Sequence, residues 1–110
     1  MSHQALGDFE QMVLLAILQL RGEVYGVPIV DEIERRTART VSRVAVYIAL
    51  RRLEHKGCVR TWMGEPIAER GGKARRCVEV TATGEQALYD ARQAIERMWR
   101  GLDPSLEKHQ

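Results

Sequence analysis

The chain of 110 residues is long enough for one domain with a modest core, and no second independent domain is expected. Its composition, 45% hydrophobic and 29% charged, is that of a soluble globular protein and excludes the disordered and fibrous classes. The net charge of +2 is too small to indicate a nucleic-acid partner by itself.

An apolar stretch near the start of the chain and the two cysteines indicate the cellular compartment. Residues 12–18 are far fewer than the roughly 20 apolar residues of a membrane span, and no basic segment of a secretion signal precedes them. Cys58 and Cys77 are too few for a disulfide framework, so we expect free and buried thiols. The sequence therefore predicts a cytoplasmic protein without a membrane partner.

Two helices are predicted in the first third of the chain. Apolar residues recur at helical spacing over residues 8–20, where Asp8 suits the N-cap or the first turn. A second helix is predicted over residues 27–37, because Gly26 marks a break and Pro28 suits a first turn. Its predicted inward positions are Val30 and Ile33, and its predicted solvent-exposed positions are Asp31, Glu32, Glu34, Arg35 and Arg36.

A third helix and a β-hairpin are predicted next. The Ser42 hydroxyl can cap a helix over residues 43–56, which Gly57 ends as a left-handed residue. The core-facing positions of this helix are Val46, Ala49, Leu50 and Leu53. Two β-prone runs, residues 58–63 and 75–81, flank a polar stretch rich in glycine, which predicts a hairpin with a long tip.

The last predicted helix, over residues 82–102, carries an apolar seam in steps of three and four residues. The seam consists of Leu88, Ala91, Ile95, Met98 and Leu102. An apolar stripe on a protruding helix is unfavourable in water, so we expect it to form a homodimer interface with Phe9 and Trp99. Residues 104–110 are expected to be a frayed tail.

This order of elements predicts a mainly α fold with a β-hairpin. A winged helix-turn-helix domain is expected over residues 1–81, followed by a C-terminal dimerisation helix over residues 82–103. Positive charge is concentrated in the middle of the chain, since residues 42–80 hold nine Lys or Arg against four Glu. A focused basic segment favours a polyanionic partner, and a solvated charged face is the alternative.

The outer face of the third helix is the predicted reader of DNA bases. Its residues are Ser42, Arg43, Val44, Tyr47, Ile48 and Arg51. Thymine methyls accept apolar contacts and Arg binds guanine through two hydrogen bonds, so this face suits the major groove of double-stranded DNA. In the alternative interpretation, Val44 and Ile48 contact a neighbouring helix of the same chain or are tolerated singly on the surface.

The hairpin is the predicted clamp on the DNA backbone. Its candidate residues are Arg70, Gly71, Gly72, Lys73, Arg75 and Arg76. Cations at these positions would neutralise phosphates and supply affinity and register, but no sequence information. In the alternative interpretation, they keep the edge strands of the hairpin soluble.

Neither enzyme chemistry nor a metal site is predicted. The sequence has no Gly-rich phosphate loop, paired carboxylates or HExxH motif. His55, Cys58 and Cys77 are the only group of soft metal ligands, but a structural zinc site takes four ligands and no CxxC pair is present. We therefore expect no catalysis and no cofactor. A winged helix that serves only as a protein-interaction module is the alternative function.

Several segments together resemble the PadR family of bacterial transcriptional regulators, specifically its small members with a single C-terminal helix. Between residues 6 and 88 they are LGDFEQMVLLAIL, VYG, VSRVAVYIALRRLEHKG, GEP, ERGGKARR and VTATG. The resemblance implies a repressor, with Tyr47 on the recognition helix and residues 71–76 in the wing. In some small members a flat hydrophobic drug binds between subunits against a Trp of the last helix, which implies a small hydrophobic inducer. Trp99 lies on that helix but farther from the wing than this role requires, so a residue of the seam or dimer interface is the favoured interpretation of Trp99.

The expected mechanism follows from the dimer. Two subunits that associate through their first and last helices place two third helices in successive major grooves, roughly 34 Å apart on one face of DNA. The predicted operator is therefore an inverted repeat. The sequence departs from the resembled family at Val44 and Ile48, where many relatives have a small residue and a proline, so the bases read are expected to differ.

Overall fold

The computed structural model describes residues 5–22, 24–65, 71 and 74–102. In chain order the elements are α1 (Asp8–Leu20), α2 (Val27–Thr37), α3 (Arg43–His55), β1 (Val59–Met63), β2 (Arg76–Val80) and α4 (Ala82–Trp99). The predicted fold class, mainly helical with one antiparallel hairpin, is confirmed. No helix in these ranges is long and apolar enough to cross a bilayer.

The helix boundaries follow the local signals in the sequence. The Ser42 hydroxyl accepts a hydrogen bond from the Ala45 amide at 3.0 Å, which confirms the predicted cap of α3. Gly57 follows α3 with a φ of +77°, the left-handed conformation that glycine adopts without strain. Asp8 lies in the first turn of α1, whose N-cap is Gly7.

The core lies where the first three helices meet the hairpin. All four predicted core residues of α3 are buried, together with residues of α1, α2 and the hairpin: Val13, Leu14, Ala16, Ile17, Ile29, Ile33, Val59 and Val78. Cys58 and Cys77 are buried and form no disulfide, as predicted. Burial raises the pKa of the Cys58 thiol, so this side chain stays protonated and acts as a small apolar residue.

The charged side of α2 differs from the prediction. Glu32 was expected in solvent, but it is only 6% exposed. Its carboxylate accepts hydrogen bonds from the guanidinium groups of Arg35, at 2.6 Å, and Arg36. Arg36 also contacts the Gln19 side chain of α1 at 3.2 Å, so the charged side of α2 packs towards α1. Ion pairing compensates the burial of this carboxylate, and a helical period alone cannot predict such pairing.

The hairpin is joined to the segment before α2. Its two strands pair in antiparallel register, with Val59 opposite Val80. Val24 forms an additional isolated bridge with Val78, whose amide donates to the Val24 carbonyl at 3.0 Å. This bridge was not predicted, and it places residues 24–26 beside β2.

The last helix is shorter than predicted and leaves the domain. It ends at Trp99 because Arg100 has extended backbone and Gly101 has a φ of +84°, so Leu102 follows the helix. Gly84 is the only buried residue of α4. The radius of gyration of 16.2 Å exceeds the about 13 Å of a compact chain of this length. Most of α4 therefore lies apart from the core of its own chain.

Candidate nucleic-acid interface

The outer face of α3 combines exposed apolar and cationic side chains. Val44 is 64% exposed and Ile48 is 47% exposed. Both line a shallow surface groove together with Arg51 and His55. Their exposure excludes the alternative in which they pack against a neighbouring helix of this chain. Arg51 and the two apolar residues therefore form one accessible face of the kind that can contact base edges and thymine methyls.

The charged groups near this face are arranged so that cations dominate it. Glu54 is the one acidic residue of α3, and its carboxylate accepts a hydrogen bond from the Thr61 hydroxyl of β1 at 2.9 Å. Lys56 also lines the groove, but its ammonium already donates to the Glu10 carboxylate at 2.7 Å and to the Ala5 carbonyl at 3.0 Å. Arg51 and Arg52 both line the groove, and Arg51 is the one that the sequence places on the predicted base-reading face.

Tyr47 lines the same groove and also contacts another segment of its own chain. Its ring stacks on Tyr25, with the centroids 5.7 Å apart and the planes 17° from parallel. Its hydroxyl lies so close to Gly26 that a Cβ there would come within 2.9 Å of it. The side chain is 37% exposed and packs along the segment before α2. Tyr47 therefore lies at the edge of the α3 face and contacts another segment of its own chain.

The described part of the wing places one of its cations, Arg76, beside α3. Arg76 is exposed, and its guanidinium lies over the Tyr25 ring at 5.6 Å from the centroid. Arg75 is half-buried, and Gly71 is exposed with a φ of +66°. The other predicted wing residues lie outside the described residues: Arg70, Gly72 and Lys73. A further hairpin cation, Arg60, binds the Glu79 carboxylate through two nitrogens at 2.6 and 2.9 Å.

A second surface, the cleft between α1 and α4, is strongly apolar. Its apolar lining consists of Leu15, Leu18, Leu88, Tyr89, Ala91, Ile95 and Trp99. Ile95 is 57% exposed and Met98, farther along α4, is 77% exposed. The sequence prediction missed Leu15, Leu18 and Tyr89, although a first helix that is apolar on nearly every side was a signal for them.

The remaining predicted interface and ligand residues are placed as follows. Phe9 is half-buried against the core of its own chain, so it contributes little to the α1–α4 cleft. Leu102 is half-exposed beyond the end of α4. His55 is exposed whereas both cysteines are buried. Within the described residues, no group of three or more His, Cys, Asp or Glu side chains could hold a metal ion.

Comparison with known protein families identifies the family of this chain. The sequence matches the transcriptional regulator PadR-like family over residues 14–90, which is well over half of the chain. The chain belongs to the PadR-like family of transcriptional regulators. The match confirms the family resemblance of the motifs, and it covers α2, α3, the wing and the first half of α4. Proteins of this family are transcriptional regulators rather than enzymes. No curated protein matches the sequence significantly.

Solved structures with the same fold include other PadR-like regulators. A transcriptional regulator from Clostridium thermocellum is 22% identical, with a TM-score of 0.66 and 83% of this chain and 85% of that one covered. A PadR family regulator from Clostridium difficile is 19% identical, with a TM-score of 0.66. The match covers 84% of this chain and 95% of that one. The Orc1 protein from Aeropyrum pernix, solved in complex with DNA, is 22% identical with a TM-score of 0.61; 84% of this chain and 26% of that one are covered. These likenesses show a shared winged-helix fold.

Proposed function

We propose that this PadR-like chain is a homodimeric repressor that reads an inverted-repeat operator through the outer face of α3. The observation that carries the proposal is the exposure of Val44 and Ile48 beside Arg51. Two large apolar side chains on a cationic helix face are costly in water and suit a groove that offers methyl groups and hydrogen-bond acceptors. Ser42 and Arg43 lie at the N-terminus of α3, where helix amides and a cation favour a phosphate.

The wing supplies the backbone contacts in this proposal. Arg75 and Arg76 of the described hairpin, with Gly71 at its tip, are joined in sequence by Arg70, Gly72 and Lys73. Contacts of this kind increase affinity for any DNA and depend strongly on salt. A protein of similar fold, Orc1 from Aeropyrum pernix, was solved in complex with DNA, which is consistent with DNA binding by this fold.

The dimer is supported by the apolar surface of α4 and α1. Ile95, Met98 and Trp99 are exposed on a helix that has only one buried residue, and the cleft beside α1 continues this surface. A second copy of the chain would cover both helices and place two α3 helices on one face of DNA. The same apolar cleft, with Trp99 in its wall, suits a small hydrophobic inducer. Such a repressor acts on chromosomal DNA in the cytoplasm.

Selection of bound fragments from random double-stranded DNA tests the reading function. We expect an enriched inverted repeat whose half-sites are centred about one helical turn, 10 to 10.5 base pairs, apart. Binding without any enriched sequence would contradict the proposal and favour a protein-interaction module. Transcription from a promoter that carries the selected site, with and without the protein, then tests repression.

Sedimentation analysis at micromolar concentration tests the dimer. The wild type is expected to sediment as a dimer and Ile95→Glu as a monomer, because the substitution places a charge in the apolar stripe. Arg97→Ala is the matched control, since residue 97 lies on the opposite side of the α4 helix from Ile95. A monomeric wild type would contradict the proposed assembly.

A further inference from the structure

We infer that Tyr25 is a positioning residue for DNA binding: its ring holds the Arg76 guanidinium of the wing in place and joins it to Tyr47 of α3. The inference rests on the proposed function, because it concerns how the same interface neutralises DNA phosphates. No sequence motif for DNA contact includes Tyr25, which lies in the short segment between α1 and α2.

The inference starts from a stack of three side chains. The Arg76 guanidinium carbon lies 5.6 Å from the centroid of the Tyr25 ring, and the Tyr25 ring lies 5.7 Å from that of Tyr47. A cation within about 6 Å of an aromatic centroid is attracted by the ring. The stack therefore joins β2, the segment before α2, and α3.

Backbone structure brings these three side chains together. The bridge between Val24 and Val78 lies one residue before Tyr25 and two residues after Arg76. Gly26, which has a φ of +73°, leaves space for the Tyr47 hydroxyl, because a Cβ at that position would lie 2.9 Å from it. The positions of the three side chains therefore depend on this bridge and on Gly26, and not only on contact between the rings.

A second contact restrains Arg76 from the side of β1. One of its terminal nitrogens lies 3.5 Å from the Thr61 hydroxyl, which in turn donates to Glu54 of α3 at 2.9 Å. A guanidinium that lies over a ring directs its N–H groups outward from its edge, where they can bind a phosphate oxygen. Restraint from two sides lowers the entropy that Arg76 loses when it binds.

The inference predicts an effect on salt dependence without a change of charge. Each phosphate that the protein neutralises contributes about 0.9 to the slope of log affinity against log salt. Arg76→Gln is expected to flatten this slope by about one unit per subunit, and we expect Tyr25→Leu, which removes no charge, to do the same. The double variant should flatten it no further. Tyr25→Phe, which keeps the ring, should retain the wild-type slope.

Binding of the selected operator at several salt concentrations measures these slopes, and thermal unfolding confirms that each variant is folded. An unchanged slope for Tyr25→Leu, or additive changes in the double variant, would overturn the inference while the proposed function stands. Absence of salt-dependent operator binding by the wild type would instead contradict the proposed function.

A measurement on the unaltered protein covers the case in which Tyr25→Leu fails to fold. Protons of the Arg76 side chain that lie over a tyrosine ring should show an upfield ring-current shift in the NMR spectrum, whereas those of exposed Arg97 should not. Ordinary shifts for Arg76 would show that the stack is absent in solution and would overturn the inference.

Discussion

Arg51 and Ile48 offer two kinds of contact to a base pair from the same side of α3. Ile48 and its neighbour Val44 can pack against thymine methyls, whereas the Arg51 guanidinium can donate two hydrogen bonds to guanine. These contacts differ between base pairs, unlike contacts to phosphates. Sequence preference is therefore expected to depend on these few side chains.

Arg51→Ala is expected to weaken binding to the selected operator by about 1 to 3 kcal/mol and to relax the preference at one position in each half-site. Equilibrium binding to the operator, to its point variants and to random DNA measures both effects. Arg97→Ala removes the same charge from the far side of α4 and should change affinity little. Equal losses for Arg51→Ala on operator and random DNA would contradict base reading.

A second residue-scale feature, the ion pair between Glu10 and Lys56, joins α1 to the end of α3. Burial of Glu10 opposes its ionisation, but hydrogen bonds from Lys56 and the Gly7 amide outweigh burial and lower the pKa of this carboxyl. A pKa below the ordinary value of 4.5 means that the ionised form stabilises the fold. This contribution is complete above the ordinary pKa and is lost as the pH falls through the lowered one.

Glu10→Gln should therefore lower the free energy of unfolding by about 1 to 3 kcal/mol at neutral pH, because it leaves the Lys56 ammonium poorly paired. The difference from the wild type should shrink as the pH falls below the ordinary glutamate pKa. Urea unfolding of both proteins across this range measures it. A difference that stays constant with pH would contradict the ion-pair account.

At the scale of elements, the direction of α4 depends on how its first turn docks. The Thr81 hydroxyl donates to the Gly57 carbonyl at 2.6 Å and accepts from the Gly84 amide at 3.0 Å. Gly84 lies so close to the residue before β1 that an added Cβ would come within 2.2 Å of the Cys58 carbonyl oxygen. Close backbone contact of this kind leaves room only for glycine, so the first turn orients the apolar face of α4 that we propose as the dimer interface.

Gly84→Ala is expected to destabilise the fold by about 1 to 3 kcal/mol through overpacking. It should also weaken the dimer, because α4 must shift away from β1. Thermal unfolding and sedimentation measure the two effects. Thr83→Ala changes an exposed neighbour in the same turn and serves as the control. Wild-type stability and assembly for Gly84→Ala would contradict this docking.

Local signals explain which elements could be predicted from the sequence. Each end of α3 is signalled by a single residue, Ser42 as the N-cap and Gly57 after the last turn. The observed bounds of α3 therefore agree with the prediction to one residue. The end of α4 was predicted too late, because the apolar period continues to Leu102 past Gly101. The stacking of Tyr47 on Tyr25 could not be predicted, because the two residues are distant in sequence and meet only in the folded chain.

At the scale of the whole molecule, the basic segment and the apolar cleft between α1 and α4 lie on different elements. The basic middle segment, residues 42–80, contains α3 and the wing, whereas the slightly acidic ends contain α1 and α4. A polyanion is therefore expected at one side of the molecule and a second copy of the chain at the other. The central claim of this account is that the dimer sets two α3 helices on one face of DNA.

The spacing of the half-sites tests that claim most directly. Lengthening the selected operator by about five base pairs at its centre, half a helical turn, moves one half-site to the opposite face of the duplex. We predict that the affinity of the dimer then falls to that for a single half-site. An affinity that is unchanged by the insertion would contradict the account, because two α3 helices held by one dimer interface could not reach both half-sites.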